Sequence, residues 1–194
     1  MSFDKGAFYT AVRHGILGPT IEPNELAGCE AILAAMEGTP VSHCAYALAT
    51  AFKETNGTMQ PVSEAYWVKN AEAWRKAHLR YYPWYGRDYV QTTWQKNYAR
   101  VDAEAATAGL IKPGDILANP ALIARLDIAA MTIRKGMEGG WFTGRSLPQH
   151  LPERLGTVAQ FEQARRIING MDCAHQIALF AMQFQDALVA GGWA

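Results

Sequence analysis

"VSHCAYALATAFKE", residues 41–54, carries apolar side chains at Val41, Ala45, Leu48, Ala49 and Phe52, the spacing of one helical face. Ala47 and Ala51 widen that surface, so the expected helix packs on more than one side and belongs inside a domain. At 100° per residue, Tyr46, Thr50 and Glu54 fall on one line, away from the main stripe. Glu54 therefore ends an apolar segment at a helix C-terminus, where the dipole disfavours an anion. Burial and dipole together favour the protonated carboxyl, which is the form a general acid needs. The plainer reading is that Glu54 pairs with Lys53 or a distant arginine and simply ends a turn.

Helical patterns continue on both sides of this segment. Asn24 is placed to cap a helix with Leu26, Cys29, Leu33 and Met36 on one stripe, ended by Gly38. "NPALIARLDIAAMTIRKGMEGG" predicts one or two helices from Asn119-Pro120 to Gly139-Gly140. "VAQFEQARRIINGMD" predicts a helix closed by Gly170, and "CAHQIALFAMQFQDALVA" a last, largely buried one. The expected fold is mainly α, with at most a short β-hairpin lobe somewhere in residues 57–88. A single domain is expected over 1–194, with N-terminal helices to residue 40 and the main core over 41–190.

The charge balance is zero, with 18 basic and 18 acidic residues. A nucleic-acid binder needs a basic excess to neutralise phosphates, so no nucleic-acid partner is expected. Three dispersed cysteines form no C-x-x-C pair, and the five histidines show no H-x-x-x-H spacing. Neither a zinc site nor a disulfide framework follows. No signal peptide or membrane span is legible, because the C-terminal apolar stretch is broken by Gln183, Gln185 and Asp186.

Ten residues after Glu54 comes Glu64, beyond "TNGTMQPVS", where Asn56-Gly57 turns the chain and Pro61 stiffens it. Such a loop can bring Glu64 across from Glu54. Two carboxyl groups flanking a cleft are the minimum apparatus for glycoside hydrolysis. The tract "YYPWYGRDYVQTTWQKNY", residues 81–98, then supplies seven aromatic residues among amides and hydroxyls. Aromatic faces stack on sugars, and amides bond their hydroxyl and N-acetyl groups. Read as a helix, its Val90/Trp94/Tyr98 side is core and its Tyr89/Thr93/Asn97 side faces the cleft.

"FKETNGTM", "YYPWYGRDYVQTTWQKNY", "GMEGGWFTG" and "ARRIINGMDCA" stand in the order seen in glycoside hydrolase family 19. The chain resembles the short phage endolysins of that family over roughly residues 40–190. The resemblance implies a lysozyme-like α-rich fold and an inverting reaction without cofactor or metal. It implies that Glu54 is the general acid, Glu64 the general base, and Thr93 a hydroxyl that helps hold the attacking water. Tyr85, Arg87, Gln91 and Asn97 match the family's substrate-binding motif, and Asn169 matches an asparagine lining the sugar cleft. Asp172 lies close to a further acidic position. The chain departs from the pattern at Lys53, where histidine is usual, and at Asp88, which replaces the second glycine of G-R-G. Asp88 is expected to alter the turn or add charge to the cleft.

Chitin and peptidoglycan share the β-1,4-linked N-acetylglucosamine unit, so cleft chemistry alone does not choose between them. A short chain without signal peptide fits a monomeric lysin made in the host cytoplasm and released to the wall by a holin. The expected substrate is therefore peptidoglycan, cut between N-acetylmuramic acid and N-acetylglucosamine. The alternatives are a chitinase, a sugar-binding protein that has lost its chemistry, and a single-stranded nucleic-acid binder using the aromatic tract. Membrane perturbation by the last helix is a further alternative, against which its apolar content reads as core.

Overall fold

A computed structural model describes residues 3–193, which form ten α-helices and two short 3-10 turns with no extended strand among them. The centre is α3, Val41–Glu54, in which every residue from Val41 to Ala51 is buried. A helix covered all round needs partners all round. α10, Ala174–Ala190, packs along it, and α1, Lys5–Arg13, and α9, Val158–Ala164, pack on α10 in turn. α2, Pro23–Ala35, lies against α3 and α7, Leu126–Glu138. Phe8, Ile32, Leu48, Met137, Phe161 and Phe184 fill this core. A smaller cluster, Tyr98, Val101, Ile116, Ile123 and Ile128, joins α5, Gln95–Thr107, and the short α6, Asp115–Ala118, to the start of α7. The remaining helices are α4, Ala71–His78, and the short α8, Leu147–His150.

The mainly α expectation holds, and local details differ from the sequence reading for identifiable reasons. α2 starts one residue before Asn24, at Pro23, because Glu22 and Glu25 form a reciprocal capping box and proline suits the first turn. The helix expected to run to Gly170 ends as α9 at Ala164 and continues as a 3-10 turn over Arg165–Ile167. The aromatic tract is not a helix before Gln95. Positive φ values at Asp88 (71°), Gln91 (56°) and Trp94 (74°) break it. Only one antiparallel bridge, Arg87 with Thr92, stands where a hairpin was expected, and it falls at the tight turn 87–92. Tyr89 consequently lies fully buried with its hydroxyl donating to the Met59 carbonyl at 3.1 Å, and Trp94 is 42% exposed. The expected inside and outside of that segment are therefore exchanged at Tyr89 and Trp94.

Candidate active site

Glu54 is the last residue of α3, and the chain reverses just beyond it. Thr55 Oγ1 donates to the Ala51 carbonyl at 2.8 Å and accepts from the Met59 N–H at 3.0 Å. Asn56 and Gly57 both adopt positive φ, and the Gly57 N–H returns to the Phe52 carbonyl. Gly28 of α2 lets this loop approach. A Cβ there would stand 1.8 Å from the Met59 carbonyl oxygen.

Of the two readings of Glu54, the pairing with a distant arginine is the one the structure shows. Arg165 Nη1 donates to Glu54 Oε1 at 2.7 Å, with the arginine side chain only 4% exposed and the glutamate 24%. Arg165 also reaches the Asp172 carbonyl through Nε at 3.2 Å and the Asp172 carboxylate through Nη2 at 3.5 Å. Burial opposes the guanidinium charge, but the Glu54 carboxylate and its hydrogen bond outweigh that and hold Arg165 protonated above its ordinary value. Tyr46 and Thr50, on the face of α3 that carries Glu54, lie buried with hydroxyls that have no hydrogen-bond partner among the described residues.

Glu64 is half-buried, and both of its carboxylate oxygens have donors. The Tyr81 hydroxyl donates to Oε1 at 2.8 Å and the Gly86 N–H to Oε2 at 3.0 Å. Its backbone is fixed as well, by a Glu64 N–H bond to the Gly86 carbonyl at 2.7 Å and by Arg75 Nε on its own carbonyl at 2.6 Å. Burial and the adjacent Glu64 carboxylate push the Tyr81 phenol above its ordinary value, so it stays a donor. The Tyr81 ring lies 5.1 Å from that of the exposed Trp94, over which Arg80 also sits. Two and three residues past Glu64, Tyr66 and Trp67 are 57% and 74% exposed and meet edge to face. Exposed aromatics this close to a braced carboxylate make a surface suited to an apolar sugar face.

Several expected binding residues are committed to bracing the turn. Tyr85 and Arg87 are buried. Tyr85 donates to Glu72 at 2.9 Å, while the guanidinium groups of Arg75 and Arg87 lie over its ring at 4.6 and 3.5 Å. Arg87 Nη1 donates to the Pro83 carbonyl and the Tyr98 hydroxyl. Neither residue presents a face to solvent, so their expected contact with substrate is corrected to support of the Glu64 loop. Gln91 Nε2 donates to the Val62 carbonyl at 3.1 Å, tying that loop to the turn. Thr93 Oγ1 donates to the Gln91 carbonyl at 2.8 Å, and Asn97 Nδ2 to the Thr93 carbonyl at 2.7 Å. Both residues are half-buried. Asn169 and Asp172 are exposed, on the segment that follows Arg165.

Asp88 does not add charge to a surface. It is fully buried with φ of 71°, the left-handed backbone that a glycine would otherwise supply. Its Oδ1 accepts from the Val90 N–H at 2.7 Å and the Thr92 N–H at 3.4 Å, while Oδ2 has no partner among the described residues. Burial raises its carboxyl to about 7 against the pull of these hydrogen bonds from residues 90–92.

Arg165, Tyr81, Tyr66 and Trp67 are the residues that the sequence reading did not single out. Arg165 had a signal. It falls in the stripe Phe161, Ala164, Arg165, Ile168, a charge at a core position that must find a buried partner. Glu54 and Glu64 share no hydrogen-bond partner among the described residues. They stand on separate supports, one on α9 and its 3-10 turn, the other on α4 and the 81–92 segment. Among the described residues no three His, Cys, Asp or Glu side chains gather as a metal-ion cluster. Comparisons with family models, curated proteins and solved structures yield no match to this chain.

Proposed function

We propose that the chain is a peptidoglycan-degrading glycoside hydrolase, an endolysin of the family 19 type, cutting the β-1,4 bond between N-acetylmuramic acid and N-acetylglucosamine. The observation that carries this reading is Glu64. Its carboxylate is aimed by a tyrosine hydroxyl and a backbone N–H; the same tyrosine's ring meets the exposed Trp94, and the exposed pair Tyr66 and Trp67 follows Glu64 in the chain. A structural glutamate does not need those exposed rings.

The chemistry is a single displacement. Glu54, paired to Arg165 through Oε1 in the free protein, first takes a proton from solvent on Oε2 and delivers it to the glycosidic oxygen as the bond to the anomeric carbon breaks. Water attacks that carbon from the opposite face and gives its proton to Glu64, so the anomeric configuration inverts. The Thr93 hydrogen is spent on the Gln91 carbonyl, which leaves the hydroxyl lone pairs to accept from the attacking water. Arg165 fixes the Glu54 carboxyl group in place and stabilises the anion left after proton transfer.

The test is mass spectrometry of soluble products after incubating the protein with Gram-negative sacculi. Reducing muramic acid ends are expected, with no release by Glu54→Gln although its far-UV circular dichroism is unchanged. Reducing glucosamine ends would redefine the cut bond, and cleavage of chitin oligomers alone would make the protein a chitinase. A wild-type rate from E54Q would remove Glu54 from the chemistry. Binding to sacculi without any new reducing end would leave a sugar-binding module.

A further inference from the structure

A pocket of about 160 Å³ opens at the end of α3, lined by Phe52, Lys53, Asn56, Gly57, Gln176 and Phe180. Lys53 directly precedes Glu54, the last residue of α3, so the pocket opens at the same helix end that carries the proposed acid. Lys53 is half-buried and forms no salt bridge with any described residue. Asn56, held at φ of 52°, and Gln176, near the start of α10, are exposed residues that each bring a carboxamide. Phe52 and Phe180 meet edge to face at 5.0 Å and form the apolar wall.

This set combines one unpaired cation, two groups that both donate and accept, and an apolar wall. An unsubstituted N-acetylglucosamine polymer brings no charge to meet Lys53. A peptide bearing a carboxylate matches every group: carboxamides pair with peptide bonds, the rings cover a methyl, and the ammonium pairs with the acid. The last carbonyls of α3 add partial negative charge here, so attraction of an anion depends on Lys53.

We propose that this pocket receives the carboxylate-bearing peptide stem of peptidoglycan, and that Lys53 and Gln176 thereby select peptidoglycan over unsubstituted N-acetylglucosamine polymers. The proposal rests on the reading of the chain as a peptidoglycan hydrolase. In that substrate the stem leaves the muramic acid ring through its lactyl group, within a sugar's width of the scissile bond.

The experiment compares hydrolysis of peptidoglycan strands with intact stems against the same strands after an amidase has removed them. The wild type is expected to favour intact strands by about tenfold in kcat/KM, about 1.4 kcal/mol. Lys53→Met and Gln176→Ala should each bring that ratio close to one. The ratio is the readout, since a general disturbance of Glu54 lowers both rates together. A wild-type ratio of one, or variants that leave the ratio intact, would overturn the pocket's role while leaving the hydrolase reading standing. If the wild type cuts neither strand, the hydrolase reading fails and the pocket is judged by binding. The free stem tripeptide of alanine, glutamate and diaminopimelate is then titrated while the Gln176 side-chain amide is followed by NMR. A saturable shift that K53M abolishes upholds the site, and no shift removes it.

Discussion

Arg165 Nη1 and Glu54 Oε1 stand 2.7 Å apart, which ties the end of the central helix to the turn after α9 across 111 residues of chain. The guanidinium is the more deeply buried partner, so the pair is only as stable as the fit between the two elements. Arg165→Ala leaves Glu54 unpaired and the Asp172 contacts unmade. Unfolding free energy in urea should fall by about 3 kcal/mol, and hydrolysis of sacculi by at least about a hundredfold. Arg165→Lys should recover part of the stability but less of the rate, since a single ammonium cannot reproduce the two-armed contact. A variant as stable and active as wild type would show that the ion pair does nothing for the site.

Tyr81 holds Glu64 by one hydroxyl. Tyr81→Phe keeps the ring against Trp94 and deletes only that donor. The rate should drop about tenfold while unfolding free energy changes by no more than ~1.5 kcal/mol, the usual worth of one hydrogen bond. Steady-state kinetics beside urea denaturation separates the two, and loss of stability without loss of rate would reassign Tyr81 to structure.

Asp88 makes stability depend on pH in a defined direction. Its carboxyl is raised to about 7 in the folded chain by burial, against an ordinary value near 3.8. The folded state therefore keeps a proton that the unfolded chain releases. That contribution is complete below about pH 4 and is lost as pH rises to 7. Between pH 5 and 8 it amounts to about 3 kcal/mol. Asp88→Asn keeps the Oδ1 acceptor and tolerates the left-handed backbone, so it should remove this loss and be the more stable protein at pH 8. Burial disfavours the protonated forms of His43 and His150, which changes stability in the opposite sense, so the difference between wild type and D88N is the quantity to plot. Parallel pH curves for the two proteins would contradict the assignment.

Gly28 sits where a helix touches loop backbone. Gly28→Ala drives a methyl group into the Met59 carbonyl, and neither α2 nor the loop can yield cheaply. Destabilisation of about 3 kcal/mol or more is expected. Gly18, whose surroundings are open but whose φ is 76°, provides the contrast: strain without collision, and a loss nearer 1 kcal/mol on replacement by alanine. Urea midpoints for the two variants would decide, and equal losses would refute the close approach.

The α-rich class and the central place of α3 were legible in the sequence because both follow from local periodicity. A segment apolar on several faces has to be enclosed, and residues 41–51 are. The two candidate carboxylates were legible in the same way, as charges set against apolar and aromatic neighbours. Their partners were not. Arg165 lies 111 residues from Glu54, and Tyr81 lies 17 from Glu64 across a segment with positive φ at Ala65 and Asn70. Helical spacing assumes continuous α backbone, so it mistook 89–94 for helix and put Tyr89 outside. Tertiary packing decided these points. A buried charge takes whichever partner the assembled helices bring to it, and a residue's face is set by its backbone angles rather than by its place in a count of 3.6.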